Sequence, residues 1–529
     1  MSSNLAQYAA TVCLVWSVVV VVVEAVGIRA IFRHFSRLPT PPVSSRASNH
    51  DNVPRITLIR PVKGLEPHLY ECIASSFQQD YPVSRVSIRL CVESKDDPAY
   101  SLLCRIVENN PGYDAKVLVE EEDPLLHGSG GLAGRMGPNP KIRNISRAYR
   151  EAGKEDLIWI IDSNVWISKN IMGRMVDKLM GYSATGKGTN MPYIFAHQLP
   201  LVVDVGRSAV PSATDSSSLQ PSTEPPSGAL ARMWTYGGGR LDEMFMATTH
   251  AKFYSAINEV GVAPCVVGKS NMFRKAHLDL ATSTSSSSSL LGEEAPLTGI
   301  DYFSHHICED HIIGELLWRT NIPNHLRHGI VWGDLVFQPM ADMSVAAYAA
   351  RRARWLRARK FTVLAATLVE PGVESFLCCA YFAFAITTLP WFHETFGISQ
   401  TWSAMALTWL VSVFSWMAVD WFTFQRLHAG YTVEQYDGVP YFARGTAYAG
   451  GIPRRSYLQW CLAWLGREAL ALPIWIYAVL LGADVVWRGK TFRVKFDTTV
   501  EEMPRNQRPR ESPSPEWRRS RPSSKDRQD

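Results

Sequence analysis

The stretch DLIWIIDSNV, residues 156–165, decides the fold. An unbroken apolar run, LIWII, ends on Asp162, the polar pair Ser163 and Asn164 follows, and a helical pattern begins near Ser168. A short apolar run of this type reads as a strand buried on both faces. Two upstream runs share its character, ITLIRPV from Ile56 and VSIRLCV from Val86, and between them Leu69 to Gln79 has helical spacing. Strands alternating with helices imply a largely parallel sheet, whose ligands gather beyond the carboxyl ends of the strands. Residues 52–346 therefore read as one α/β unit.

The flanks of this unit read as membrane segments. YAATVCLVWSVVVVVV, residues 8–23, is uncharged, and the uncharged stretch reaches back to the initiator, giving the ~20 residues that a bilayer span needs. No basic segment precedes it and no small-residue cleavage site follows, so residues 1–34 read as an uncleaved anchor. Arg29, Arg33 and Arg37 come next, and positive charge on the cytosolic side would place the α/β unit in the cytosol. Residues 347–495 hold further apolar stretches, broadly Phe361–Phe392, Trp402–Thr423 and Leu458–Leu481, for two or three more spans. Glu370 and Glu374 interrupt the first and Arg467 with Glu468 the third, and charge at membrane depth must face protein or a wet cavity. Either the two glutamates line a polar passage, or neighbouring basic side chains satisfy them. RRARWLRARK, residues 351–360, carries six positive charges and no negative one, which suits a helix lying against anionic membrane lipids.

Charge and cysteine content exclude several classes. Fifty-four basic residues stand against 49 acidic ones, a net charge of +5. Residues 504–529 alone hold eight basic and four acidic residues, so the body is close to neutral and has no basic face for nucleic acid. The Ser/Pro-rich composition from 496 to 529 reads as a disordered basic tail. The nine cysteines are scattered, with no CxxC pair, so neither a disulfide framework nor a zinc site is legible. Residues 207–228, rich in Ser and Pro, and 282–289, almost all Ser, read as disordered insertions. GSGGLAGRMG, residues 128–137, lacks the residue order of a phosphate-binding loop and reads as a flexible one.

The chemical signal is a set of carboxylates at strand ends. Asp96 and Asp97 follow the second strand, Asp162 closes the third, and Glu309 with Asp310 opens a helical pattern in HHICEDHIIGELL. A carboxylate at such a place can take a hard divalent cation, Mg or Mn, of the kind used to neutralise a diphosphate. Each position is equally a common turn or helix-cap residue. Lys141 and Asn144 in NPKIRN are a cation and an amide that could meet a phosphate or a base, or lie on a solvated helix face. Arg351, Arg354 and Trp355 offer guanidinium forks and a stacking face, and would serve a membrane-surface helix as well. His305, His306 and His311 lie close enough to suggest a metal, but loop histidines more often cap or hydrogen-bond.

The order of these features carries more than any one of them. LIRPVKGLEPHL, YPVSRVSIRLCVESKDDPA, NPKIRN, DLIWIIDSNV, ATTHAKFY, CVVGKSNMFRK, CEDH, RRARW and EPGVESF follow one another from Ile56 to Phe376. This ordered set resembles the processive and lipid-linked glycosyltransferases of family 2 with the GT-A fold, and within that clan the ceramide glucosyltransferases of family 21.

The resemblance implies an inverting transfer of glucose from UDP-glucose to ceramide drawn from the bilayer. It makes Asp310 the catalytic base, sets Asp97 near the uridine, and gives Asp162 the metal and diphosphate. Lys141 and Asn144 would serve the donor, Arg351, Arg354 and Trp355 would lie at the diphosphate and acceptor mouth, and His250 would stand on the acceptor side. It also implies residence in the Golgi membrane as a multi-pass protein. The chain departs from the family pattern in two respects: Ser163-Asn164 follows Asp162 where Ser-Gly is usual, and no full DxD pair exists. Two alternatives stand beside this reading, a polymerising synthase of the chitin, cellulose or hyaluronan type and an inactive lipid- or nucleotide-binding adaptor. The few membrane stretches speak against polymer extrusion, and no oligomeric partner is legible.

Overall fold

The computed structural model describes residues 4–46, 52–127, 132, 134–183, 190–206, 228–286, 297–448, 450–451 and 455–503. Residues 128–131 and 133 of the glycine-rich loop, residues 207–227 and 287–289 of the two insertions, and residues 504–529 lie outside that set.

The apolar runs form the centre of a seven-stranded sheet. Its strands are β1 (Ile56–Pro61), β2 (Val86–Val92), β3 (Asp114–Val119), β4 (Leu157–Ile161), β5 (Tyr193–Asp204), β6 (Ser270–Arg274) and β7 (Leu326–Met340). They stand in the order β3-β2-β1-β4-β6-β5-β7. The first four are parallel, β5 pairs parallel with β7, and β6 runs antiparallel between β4 and β5. The expected mostly parallel α/β sheet is thus present, with one reversed strand. β1, β2 and β4 are buried at every position, as strands covered on both faces must be.

Among the described residues three helices are long and apolar enough to cross a bilayer: α1 (Asn4–His34), which precedes the sheet, and two after it, Trp402–His428 and a helix over Tyr457–Leu480. A further pair, Leu364–Val373 and Ser375–Thr388, is bent by 70° and would make a fourth span if taken as one. Pro371 and Gly372 stand at the break, where proline removes a backbone donor. The carbonyl this strands, that of Thr367, accepts from the Trp475 indole at 2.7 Å, and the Gly372 carbonyl accepts from the Trp16 indole of α1 at 2.7 Å, so the broken helix stays satisfied by its neighbours.

Between the sheet strands and the membrane segments run α2 (Pro140–Glu151), α3 (Gly238–Ala247), α4 (Thr249–Val260), α5 (Glu309–Arg319) and α6 (Val345–Arg359). After them come α7 (Ser375–Thr388), α8 (Trp402–His428) and α9 (Tyr457–Trp475). The α/β unit is keyed onto α1 at Gly27, where an added β-carbon would stand 2.0 Å from the Lys252 carbonyl oxygen of α4.

Two expected boundaries differ from the structure. Residues 282–286 belong to the helix Lys275–Ser286, because Thr282 bonds back to the Leu278 carbonyl at 2.8 Å and accepts from the Gly299 amide at 2.8 Å. Residues 496–503 are not a free tail. Val500–Glu502 is β10, paired with β9 (Lys490–Val494), which pairs in turn with β8 (Asp484–Trp487) in a separate three-stranded antiparallel sheet. Val485, Phe492, Val494 and Val500 bury one face of this sheet against Ile307.

Candidate active site

Asp162 follows the last residue of β4, opposite the start of β6, where Ile161 pairs with Ser270. That register sets Lys269 beside it: the Lys269 ammonium lies 2.9 Å from Asp162 Oδ2. The turn after β4 is fixed from behind by Arg60 of β1, fully buried, which donates to the carbonyls of Asp162 and Val165 at 2.8 Å each and to Cys72 at 3.0 Å. Burial lowers the Arg60 guanidinium to about 10, still charged at neutral pH.

Lys141 is aimed by the start of α2. Asn139 caps that helix by accepting from the amides of Lys141 (2.8 Å) and Ile142 (3.1 Å), and Pro140 takes the first helical position, where its missing donor costs nothing. The Lys141 ammonium then meets three carboxylates: Asp162 Oδ1 at 3.3 Å, Glu309 Oε1 at 3.0 Å and Asp310 Oδ2 at 3.0 Å. Glu309 and Asp310 occupy the first turn of α5, yet neither side chain caps it. Both turn to Lys141 instead, and Asn139 also donates to Glu309 at 3.1 Å.

The electrostatics divide the two aspartates. Burial works to raise Asp162, but Lys141 and Lys269 together hold it well below the usual carboxylate range. Burial raises Asp310 too, Lys141 opposes it, and the nearby Glu309 and Asp162 add to it, leaving Asp310 at about 7. Burial disfavours the charge on Lys141, but Asp162, Asp310 and Glu309 outweigh it and keep the ammonium firmly protonated. One carboxylate stays ionised and the other is poised near neutrality, which is the division of labour that acid–base chemistry requires. Asp310 remains one-quarter exposed, open to a substrate.

Gly268 sets the depth of this cluster. A β-carbon there would stand 1.8 Å from Asp310 Oδ2, so no larger residue fits without moving the carboxylate. The Arg354 guanidinium of α6 lies within electrostatic reach of Asp162, and burial with the neighbouring Arg351 lowers it to about 10. It forms no hydrogen bond or ion pair with any described residue. Asp162, Asp310 and Lys141 therefore meet at the carboxyl end of the sheet with Arg354 within electrostatic reach of Asp162, although the four are spread over more than 200 residues of sequence. Asp97 closes the same end: its carboxylate accepts from the Gly64 amide at 3.0 Å and the Ala99 amide at 2.9 Å, tying the loops after β1 and β2 together.

The profile of glycosyl transferase family 21 matches residues 14–201 and 231–500. The chain belongs to that family. It is 50% identical to a ceramide glucosyltransferase of Gibberella zeae over 97% of each chain. It is 52% identical to one of Pyricularia oryzae, over 93% of this chain and 94% of that one. Against one of Komagataella phaffii the identity is 35%, over 93% and 92%. Among solved structures, a mannosyltransferase from Pyrobaculum calidifontis in complex with GDP-Man and Mn2+ overlaps at 12% identity with a TM-score of 0.40. That overlap covers 78% of this chain and 96% of that one and places no individual residue.

Family 21 membership makes the chain a glycosyltransferase with a GT-A-type sheet, and the remaining expected site residues can be placed in it. Arg351 pairs with Asp242 of α3 at 3.1 Å and lies over the Trp355 ring at 4.6 Å, so these two brace α6 against α3. Asn144 donates to the Cys91 carbonyl at 3.0 Å, joining α2 to the end of β2, and is 2% exposed. This geometry gives its amide a bracing task rather than a place against a nucleotide. His250, at the start of α4, stacks on Tyr254 with ring centroids 5.3 Å apart, and burial with Arg352 and Arg359 lowers it to about 3. It is a neutral ring at any working pH.

Glu370 is held by Arg352 (3.1 Å) and Arg359, and Glu374 by Arg467 (2.5 Å), so basic neighbours do satisfy the two glutamates. They also line a small cleft with Phe245, Tyr348 and Trp475, between the α6 helix and the membrane helices. His305 bonds the Arg135 carbonyl at 3.1 Å and His306 the Thr498 carbonyl at 3.1 Å. Among the described residues no group of three or more His, Cys, Asp or Glu is arranged to hold a metal. Sequence reading left Arg60, Gly268 and Lys269 without a role; the last two stand in CVVGKSNMFRK, and only the β4–β6 pairing reveals what they face.

Proposed function

We propose that this chain transfers glucose from UDP-glucose to the primary hydroxyl of ceramide with inversion, with Asp310 as general base. The observation that carries the reading is the split between Asp162, held ionised by two lysines, and Asp310, poised at about 7, inside one cleft flanked by a helix that leads into the membrane bundle. The family's curated relatives named as ceramide glucosyltransferases support the donor sugar and the acceptor.

In this reading the acceptor hydroxyl donates to Asp310. Both oxygens of that carboxylate already accept from Lys141, at 3.1 and 3.0 Å, but each retains a lone pair for a second donor. As the hydroxyl oxygen forms its bond to the anomeric carbon, its proton passes to Asp310. The bond from that carbon to the β-phosphate oxygen breaks on the opposite face, and α-glucose becomes a β-glucoside. Arg354, Lys141 and Lys269 supply positive charge where the departing diphosphate gathers its own.

The carboxylates do not offer a ready site for Mg or Mn. Asp162 gives each oxygen to an ammonium group, and Glu309 and Asp310 are both engaged by Lys141. No step here is routed through a metal.

Ceramide is delivered sideways from the lipid, and the cleft lined by Glu370 and Glu374 supplies a polar lip for its amide and hydroxyls. Arg29 and Arg33 at the end of α1, with Arg37 just beyond, favour a cytosolic site, and a Golgi address fits the family. The test is transfer by the purified chain in lipid nanodiscs containing ceramide, with UDP-glucose added. UDP and β-glucosylceramide should appear one for one, and Asp310→Asn should abolish both. Equal turnover in the variant would remove Asp310 as base, and no UDP release by the wild type would remove the reading itself.

A further inference from the structure

The hairpin formed by β8 and β9 has a tip that local preference does not explain. Trp487 pairs with Lys490, leaving a two-residue turn of Arg488 and Gly489. Both adopt left-handed backbone, with φ of 49° and 78°. Such turns ordinarily take Asn, Asp or Gly at the first position, since a β-carbon is crowded in that region. A strained residue persists only where its surroundings over-determine it, and such residues gather at functional sites. Here the surroundings are firm. Phe492 and Val485 pack on Ile307, Arg357 of α6 donates to the Asp484 carbonyl at 2.9 Å, and Thr499 bridges to His306.

The side chain points to a purpose. The Arg488 guanidinium lies within electrostatic reach of Glu93, Glu120, Asp162 and Glu309, which follow β2, β3 and β4 and open α5. It lies within reach of Arg354 as well. It forms no hydrogen bond or ion pair with any described residue, and it lies over its own Trp487 ring, 5.5 Å away. A half-buried guanidinium left unpaired is costly, and a second one within electrostatic reach makes it more so. A bound dianion relieves both.

We infer that Arg488 is a donor-binding residue: the hairpin closes over the carboxyl end of the sheet and, together with Arg354, grips the diphosphate of a nucleoside-diphosphate sugar. Two forks of five fixed donors match phosphate oxygens in a way that ammonium groups do not. The inference rests on the reading that this cleft takes a nucleotide sugar.

The experiment compares the full chain in ceramide nanodiscs as wild type, Arg488→Ala, Arg488→Lys and Arg493→Ala. Arg493 sits on the same sheet, 57% exposed and paired with Asp484 at 3.0 Å, and serves as the control for hairpin integrity. Arg488→Ala should raise the KM for UDP-glucose and the inhibition constant of free UDP together, by about ten- to a hundredfold, the range of a charged hydrogen bond. The KM for ceramide should stay within twofold, Arg488→Lys should fall between, and Arg493→Ala should match wild type. Donor KM and UDP inhibition within twofold of wild type in Arg488→Ala would overturn the inference, as would an equal loss in Arg493→Ala. Should wild type release no UDP at all, the donor reading fails on its own. Calorimetric binding of UDP then judges Arg488 separately: weaker binding in Arg488→Ala upholds it, and equal binding ends it.

Discussion

Asp310 can accept a proton only when ionised, and burial, with Glu309 and Asp162 close by, brings its carboxyl up to about 7 despite Lys141. A raised acid loses its charge as pH falls through that value, so kcat should decline on the acid side with an apparent midpoint near 7 and a slope of one proton. His250, lowered to about 3, stays neutral across this range and adds nothing to the limb. A pH–rate profile flat from 5.5 to 8 would remove Asp310 from the proton transfer. Gly268 gives the companion prediction. Gly268→Ala must displace the Asp310 carboxylate, and a shift of about 1 Å costs on the order of a hundredfold in kcat. The donor KM should change less than kcat, because neither Arg354 nor Lys269 is paired with that carboxylate. At this scale Asp162, Asp310 and Arg354 could be singled out because an acidic strand end, an acidic pair opening a helix and an RxxRW run in fixed order are readable from the letters alone. Gly268 and Lys269 were not, since their meaning arises from a β6 strand that reverses direction beside β4.

At the scale of elements, the central strands announced themselves as apolar runs ending in Asp, whereas the small C-terminal sheet did not. Its strands of four, five and three residues follow directly on a long apolar helix, too short for alternation to show. Residues 496–503 were therefore expected to join the tail, yet β10 completes the face that buries Phe492. That face lies against Ile307, three residues before Asp310, so the sheet holds the α5 turn from outside. Phe492→Ala removes a fully buried ring, at a cost of about 3–5 kcal/mol that a sheet this small cannot absorb. Hydrogen exchange should rise across 484–503 and across 306–311 together, with loss of turnover. Faster exchange confined to 484–503, with turnover intact, would separate the sheet from the catalytic turn.

Across the whole molecule, the sheet unit and the membrane bundle are joined by buried charge rather than by apolar contact alone. Lys252 of α4, fully buried, reaches Glu24 of α1 at 2.8 Å and Asp420 of α8 at 2.6 Å, while the Trp464 indole of α9 donates to Asp420 at 2.8 Å. One side chain of the catalytic unit thus meets two membrane-length helices, and a third closes the network. The interrupting Glu370, Glu374, Arg467 and Glu468 were visible in sequence, but their partners were not, because each ion pair joins segments whose packing no periodicity encodes. Removing one member of a buried set strands the rest, at about 3–5 kcal/mol, whereas replacing the set with apolar or neutral groups is often close to neutral. Lys252→Met should therefore lower the melting temperature in detergent and loosen the catalytic unit from α1. Adding Glu24→Gln and Asp420→Asn to it should recover most of the loss, although Lys252 itself is still absent. If the triple variant melts no higher than Lys252→Met, the penalty lies in lost packing around the lysine stem, and charge is not what joins the two halves.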